Sequence, residues 1–373
     1  MNKSIEQKIG ITIDLTNGFF CNGMQQNIIF LSNCINQIEG KKCFLLYHGK
    51  FVRNNFLKED LCIPYMEYIS NKKIQLDILI YAGFNPGQEI HQNEKQKNKT
   101  TKYVSIQYGN ELTDDIYFSL SNKDKIFFKG IIEPLDQIWT SPHYVKNISY
   151  LKTKNRNENI KIIPYIWDDI FIKNQFEELN INKKFEIFKK ELNINKVTIF
   201  EPNLSFTKSC LIPINIVERF EQLYPKKIQS CNVIASKDLV KNEYFVQLLM
   251  NMGIFKERSD FLKCRERMKT LFALRKYGGL VISHQILNEL NYLYFESLFL
   301  SLPLIHNSPF LSDYGYFYED FEIDQAAHII KYVLDNHKNK IQSYEQKNIE
   351  LFKKYSPFSN INKENYKLLL NNV

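Results

Sequence analysis

The chain alternates between short, nearly unbroken apolar runs and longer segments in which apolar residues recur every three or four positions. In the first half, Ile9–Leu15, Cys43–Tyr47, Leu76–Ala82, Tyr103–Tyr108 and Gln137–Thr140 read as buried strands, because a continuous apolar run suits a strand covered on both faces. Stretches of helical periodicity separate several of them, such as Met24–Ile38 after the turn at Asn22 and Gly23. Strands separated by helices predict a parallel sheet, since a parallel neighbour is reached only by a long crossover.

After Trp167 and Asp168 the chain becomes polar and rich in Lys, Glu and Asn as far as about Lys196, which predicts a linker. The alternation then restarts. Val197–Glu201, Ile228–Ala235, Leu280–Ser283 and Leu302–His306 read as strands. Ser209–Leu223, Leu239–Met250, Arg265–Tyr277 and Leu290–Leu300 read as helices, with Gly278 and Gly279 ending the third as a C-cap does. From Asp324 to Val373 the pattern is almost wholly helical. Two domains follow, over residues 1–168 and 169–343, with a helical tail over 344–373. This alternation fits dinucleotide-binding enzymes and periplasmic binding proteins equally, so architecture alone names no function.

Composition narrows the classes. A length of 373 residues exceeds one ordinary core and suits two. Hydrophobic residues at 44% and charged residues at 24% are the balance of a packed protein. The net charge of +8 comes from scattered lysines without a basic block, which argues against nucleic acid as a partner. The opening MNKSIEQKIG has no apolar run, and no later run approaches the roughly 18 to 20 apolar residues of a membrane span, so a cytoplasmic protein without a transmembrane segment is expected. Seven cysteines with no Cys-x-x-Cys pair read as reduced thiols, with neither a zinc site nor a disulfide framework. No Asp-x-Asp motif is present to hold a divalent cation, and no bound cofactor is expected.

Candidate chemistry gathers in two stretches. Glu201-Pro-Asn-Leu-Ser-Phe-Thr-Lys208 lies between a strand and a helix, where free backbone N–H groups suit a diphosphate and Lys208 adds a cation. In the second stretch, Ser283 ends a strand with His284 and Gln285 at its end, Asn288 precedes the next helical segment, Glu296 lies inside that segment, and Pro303-Leu-Ile-His-Asn-Ser308 includes the end of another strand. Polar residues at strand ends are where open α/β sheets bind ligands. Glu296, inside an apolar helix, needs a hydrogen-bond partner or a ligand hydroxyl.

These stretches resemble the retaining GT-B glycosyltransferases. In that family a Gly-Arg-Leu-x-x-x-Lys-Gly motif follows the first strand of the second domain, and Pro202-Asn203-Leu204-Ser-Phe-Thr-Lys208-Ser209 has its spacing. The family's two glutamates and proline fall in the register of Asn288, Glu296 and Pro303. Asn203 stands where Arg is usual and Asn288 where Glu is usual, which alters the sugar end of the donor site. A little-characterised GT-B-like family with Glu-Pro-Asn…Lys, Ser-His-Gln…Asn…Leu-Asn-Tyr-Leu-Tyr and Pro-Leu-x-His-Asn-Ser patterns is closer still, and this chain shows them at Glu201–Lys208, Ser283–Tyr294 and Pro303–Ser308.

The resemblance implies two Rossmann-like α/β domains with parallel sheets, an N-terminal acceptor domain, a C-terminal donor domain, and a tail crossing back to the first. It implies metal-independent transfer of a sugar from a nucleotide sugar, UDP- or GDP-linked, to a glycan, protein or small-molecule hydroxyl. Lys208 would then bind the pyrophosphate, Glu296 the ribose and Asn288 the sugar, with Asn203, His284, Gln285, Asn307 and Ser308 as further donor contacts. Asn17, Gly18 and Gly23 in the first glycine-containing loop, with Tyr108 and Asn110 after a later strand, are the acceptor-side candidates. Asp14, His91 and Glu111 are the candidate bases for an inverting reaction. A nucleotide-sugar epimerase and a non-catalytic sugar-binding or scaffold protein of the same fold stay open.

Overall fold

A computed structural model describes residues 6–16, 23–51, 57–70, 74–120, 133–181 and 192–373. The chain divides into two compact units, one of Met1–Asp168 with Lys353–Val373, the other of Asp169–Phe352.

Among the described residues, the first unit holds a seven-stranded sheet in the order β3-β2-β1-β4-β5-β6-β7. Its strands are β1 (Gln7–Leu15), β2 (Lys41–Gly49), β3 (Cys62–Pro64), β4 (Ile78–Tyr81), β5 (Lys102–Gln107), β6 (Gln137–Thr140) and β7 (Ile160–Ile162), every neighbouring pair parallel. The accompanying helices are α1 (Gly23–Ile35), α2 (Tyr65–Ser70), α3 (Gln88–Lys97), α4 (Glu111–Leu120) and α5 (Ile148–Asn155). Every residue of β1 from Ile9 to Ile13 is buried, Gly10 and Thr12 on one face as well as Ile9, Ile11 and Ile13 on the other, because the strand lies inside the sheet with both faces covered. The winding reverses between β1 and β4, so their carboxyl ends open side by side at a topological switch point.

Two glycines let neighbouring backbones press against the end of β1. Gly83 donates its N–H to the Thr12 carbonyl at 2.8 Å, and a Cβ there would meet the Ile13 Cα at 2.6 Å and the Asp14 nitrogen at 2.7 Å. Gly49, at φ +94, would bring a Cβ to 2.5 Å from the Thr16 nitrogen.

Among the described residues, the second unit holds a six-stranded parallel sheet in the order β10-β9-β8-β11-β12-β13. These strands are β8 (Lys196–Ile199), β9 (Ser230–Val233), β10 (Leu262–Cys264), β11 (Leu280–Ser283), β12 (Leu304–His306) and β13 (Tyr316–Phe317). Its helices are α6 (Ile170–Glu178), α7 (Leu211–Leu223), α8 (Glu243–Met250), α9 (Gly253–Glu257), α10 (Thr270–Tyr277), α11 (Tyr292–Phe299) and α12 (Ile323–Tyr355). Here the winding reverses between β8 and β11. The core joins Val197 and Ile199 of β8 to Ile214, Val217 and Phe220 of α7 and to Ile330 and Val333 of α12. Among the described residues no helix is long and apolar enough to cross a membrane.

The tail fastens to the first unit. Helix α13 (Asn360–Asn371) starts at Ser359, whose Oγ accepts from the Asn362 N–H at 3.2 Å. Tyr366 donates to the Pro164 carbonyl at 2.7 Å, Gln137 to the Asn372 carbonyl at 2.6 Å, and the Trp167 N–H to the Tyr355 carbonyl at 2.8 Å.

Several elements differ from the expected ones for local reasons. The polar stretch after Asp168 contains α6, whose Phe171, Ile172 and Phe176 are buried; residues 182–191 of that stretch lie outside the described ones. Leu239–Met250 is broken, since Asn242 caps α8 by accepting from the Phe245 N–H at 3.0 Å. Arg265–Tyr277 begins its helix only at Thr270. Strands β3, β10 and β13 are two or three residues long at or near sheet edges, too short to form a recognisable apolar run.

Replacing Gly83 with Ala forces backbone apart at the centre of the first sheet. Overpacking of this kind costs roughly 1 to 3 kcal/mol, and a lowered urea midpoint for Gly83→Ala, against a nearly unchanged one for Gly109→Ala, where a Cβ meets only the Asp114 Oδ2 at 3.4 Å, is the expected outcome.

Candidate functional site

The second unit gathers its polar side chains at the carboxyl ends of β8, β11 and β12, around the β8/β11 switch point. Glu201, two residues past β8, is fully buried. Ser283 Oγ donates to its Oε1 at 2.5 Å and Gln285 Nε2 to its Oε2 at 2.5 Å. The chain of bonds continues as Asn288 Nδ2 donates to Gln285 Oε1 at 2.8 Å. Asn307, just past β12, clamps the same turn: its Oδ1 accepts from the Gln285 N–H at 2.9 Å and its Nδ2 donates to the Gln285 carbonyl at 2.9 Å. Ser308 donates to the Glu289 carbonyl at 2.6 Å. The Ile286 N–H donates to the Thr207 carbonyl at 3.0 Å, which ties this turn to the loop after β8.

That loop is held by Asn203, at φ +57, a conformation Asn tolerates better than most residues. Its Nδ2 donates to the Glu201 carbonyl at 2.6 Å, and its Oδ1 accepts from the Cys210 N–H at 2.7 Å at the start of α7. Both ends of the amide are therefore used in shaping the loop. Lys208 closes a single 3-10 turn, Phe206–Lys208, and is half-buried.

Burial raises the Glu201 carboxyl from 4.5 to about 7, against the opposing pull of Ser283, the Lys208 charge, the His284 N–H and Gln285. Glu201 is thus poised between neutral and charged near neutral pH. Burial likewise lowers His284 and His306 to about 4, so both rings are neutral. His306 Nε2 lies 2.8 Å from the Tyr314 carbonyl. His284 Nδ1 lies 2.8 Å from the Tyr318 hydroxyl, while its Nε2 is buried and meets no hydrogen-bond partner among the described residues.

Glu296 takes its partner from α10. Thr270 Oγ1 donates to its Oε2 at 2.5 Å, and burial raises this carboxyl to about 7 as well. Thr270 is placed in turn by the neighbouring Leu271 N–H, which donates to Gln175 Oε1 at 3.1 Å.

In the first unit, Gly23 opens α1, and Asn17 and Gly18 lie outside the described residues. Asn110 caps α4, accepting from the Thr113 N–H at 3.1 Å and from Asn147 Nδ2 at 2.6 Å. The Tyr108 hydroxyl is buried without a partner among the described residues. Of the candidate bases, Asp14 accepts from the Thr16 N–H at 2.9 Å, and Glu111 pairs with Lys154 at 3.1 Å. His91 uses both nitrogens, toward the Tyr81 hydroxyl at 3.1 Å and the Pro134 carbonyl at 3.3 Å, and burial lowers its pKa, so it packs as a neutral ring.

The residue that sequence reasoning left without a role is Glu201. Its signal was present: a carboxylate ending an otherwise apolar strand run must find donors once buried. Tyr318 carried no such signal, because only the sheet brings it to His284.

Residues 9–370 match the family described as a protein of unknown function, DUF2827, and the chain belongs to that family. No curated protein matches the sequence. Among solved structures, the chain is similar to the trehalose-6-phosphate phosphatase N-terminal domain of Candida albicans, at 11% identity and TM-score 0.63, covering 98% of this chain and 97% of that one. It is similar also to the α,α-trehalose 6-phosphate synthase of Burkholderia multivorans (10%, TM-score 0.56, 98% of each chain) and to a glycosyltransferase of Rickettsia africae (14%, TM-score 0.53, 98% of each). At such identities the likeness is one of fold: the chain has the GT-B fold, two parallel-sheet Rossmann-like units with a helical C-terminal region.

A carboxyl raised on folding favours the fold below its unfolded pKa and loses that stabilisation as pH rises through the folded value. For Glu201 the move from 4.5 to about 7, at about 1.4 kcal/mol per factor of ten, amounts to roughly 3 kcal/mol. His284 and His306, lowered to about 4, act in the opposite sense between about 4 and 6.5, so the effect is read as a difference. Glu201→Gln should gain on the parent progressively from pH 4.5 to 8 in chemical denaturation, and a pH-independent difference would contradict the raised carboxyl.

Proposed function

We propose that this chain is a glycosyltransferase that moves a sugar from a nucleoside-diphosphate sugar to an acceptor hydroxyl. The observation that carries the reading is the buried polar cluster of Glu201, Ser283, Gln285, Asn288 and Asn307 at the switch point of the second sheet, in a GT-B fold. A cluster so costly to bury belongs where a polar ligand is bound.

Transfer passes through a state with positive charge on the sugar and negative charge on the departing diphosphate. Lys208, beside Glu201, and the positive end of the α7 dipole answer the second charge, so the transfer runs without a metal ion. Protonation of Glu201 leaves the Lys208 charge undivided for the phosphates. Glu296 takes a ribose hydroxyl, and the second unit is the donor domain. The first unit, which carries the candidates Asn17, Gly18, Gly23, Tyr108 and Asn110, presents the acceptor, a glycan or protein hydroxyl. UDP or GDP is the carrier, and the protein works in the cytoplasm.

One observation favours a second reading, a non-catalytic sugar-binding protein. Asn288, in the register of the usual first glutamate, spends its amide on Gln285.

Thermal melting with UDP, GDP, CDP, ADP and dTDP tests both. A ligand at 100 times its Kd stabilises by about 2.7 kcal/mol; one diphosphate should do so with the parent and not with Lys208→Ala. With the matching sugar nucleotide and an acceptor, Lys208→Ala should release diphosphate about 100-fold more slowly. Binding without release favours the second reading, and no shift with any of the five overturns the first.

A further inference from the structure

His284 is 1% exposed, directly after β11, and one of its ring nitrogens has no hydrogen-bond partner among the described residues. The proton positions follow from the partners. Tyr318 is fully buried, and its hydroxyl has the His284 Nδ1, at 2.8 Å, as its hydrogen-bond partner. A buried phenol proton left without an acceptor is unfavourable, so Tyr318 donates to Nδ1. Nδ1 then carries no proton, and the neutral ring bears its N–H on Nε2. That N–H is a buried donor waiting for an acceptor.

The surroundings select the acceptor. The exposed Asp320 stands between Tyr318 and Phe321 in the chain, and the side chains of both meet the His284 ring, so its negative charge falls in the neighbourhood of the imidazole. A carboxylate there disfavours a second anion and favours a neutral acceptor for the Nε2–H. A hydroxyl is such an acceptor, and a negatively charged phosphate oxygen is not. The neighbouring Phe321 is 55% exposed, yet its ring centroid is 4.8 Å from that of His284, so it roofs the imidazole from the solvent side. The Asn288 amide, in the register of the usual sugar-binding glutamate, is turned onto Gln285.

We propose that His284 binds a hydroxyl of the transferred sugar, donating from Nε2, and that Phe321 covers the subsite until the ligand displaces it. The proposal rests on reading the chain as a nucleotide-sugar-dependent protein. It moves sugar recognition from the motif's first carboxylate position to the histidine that directly follows β11. Tyr318 is a positioning residue, since it acts by fixing the tautomer.

Calorimetric titration with UDP, UDP-glucose, UDP-N-acetylglucosamine, GDP and GDP-mannose tests it, with melting curves establishing that each variant is folded. In the parent, at least one conjugate should bind more tightly than its free diphosphate. His284→Phe, which keeps a ring in place, should weaken that conjugate about 10-fold, the loss of one hydrogen bond, while free UDP or GDP stays within about twofold. Tyr318→Phe should cause a smaller loss, again confined to the conjugate. Phe321→Ala should speed association; slower association would overturn its role as a cover. Equal weakening of conjugate and diphosphate by His284→Phe places the ring on a phosphate and overturns the proposal, as does no weakening at all. Failure of the parent to bind any of the five overturns the nucleotide-sugar reading itself, an outcome distinct from a parent that binds and a His284→Phe that binds equally well.

Discussion

The second unit is organised around one interaction, the solvation of a carboxyl group that has no water. Glu201 sits past the end of β8 with no exposed surface, and donors reach it from Ser283 and Gln285 of the turn after β11. A bare carboxylate there would be prohibitively unfavourable, so the fold holds the donors in place and tolerates a raised pKa. The cascade from Glu201 through Gln285 to Asn288, with Asn307 bridging Gln285's backbone, follows from that requirement. Shape and chemistry are linked at this point, because His284 lies between the two residues that satisfy Glu201, with its ring held by Tyr318.

The first unit has a different logic at its corresponding place. Its switch point between β1 and β4 is shaped by backbone contact, with Gly83 and Gly49 admitting neighbouring loops against Thr12–Thr16. Its buried ionisable groups lie within the core: His91 stands edge-on to Tyr103, with ring centroids 4.8 Å apart, and Glu94 lies 5% exposed near Tyr65 and Tyr68. The two units share the doubly wound plan but differ at the switch point, one having backbone pressed against glycines, the other polar and titratable side chains.

Local rules set the loops that carry the site. Asn203 in the left-handed region, with both ends of its side chain engaged, makes the turn that delivers Lys208, a job that arginine, with no acceptor atom, would not do. Departures from a familiar motif are therefore structural statements here. Where the motif's charged residues are replaced by amides, the amides turn inward and become scaffolding.

The sequence by itself determined the two parallel sheets. Runs such as Ile9–Leu15, Val197–Glu201 and Leu280–Ser283 are apolar because their strands are covered on both faces, and that constraint is written locally, residue after residue. It also marked where polar residues fall at strand ends, hence Lys208, His284, Gln285, Asn307 and Ser308. Edge strands β10 and β13 escaped it, since two or three half-covered residues form no run. Only the tertiary structure decided which of these polar groups satisfy one another and which are left facing outward. Ser283 reaches Glu201 across 82 positions and Tyr318 reaches His284 across 34. Hydrogen bonding depends on distance and direction in space, and those are fixed by sheet order, which no local pattern contains.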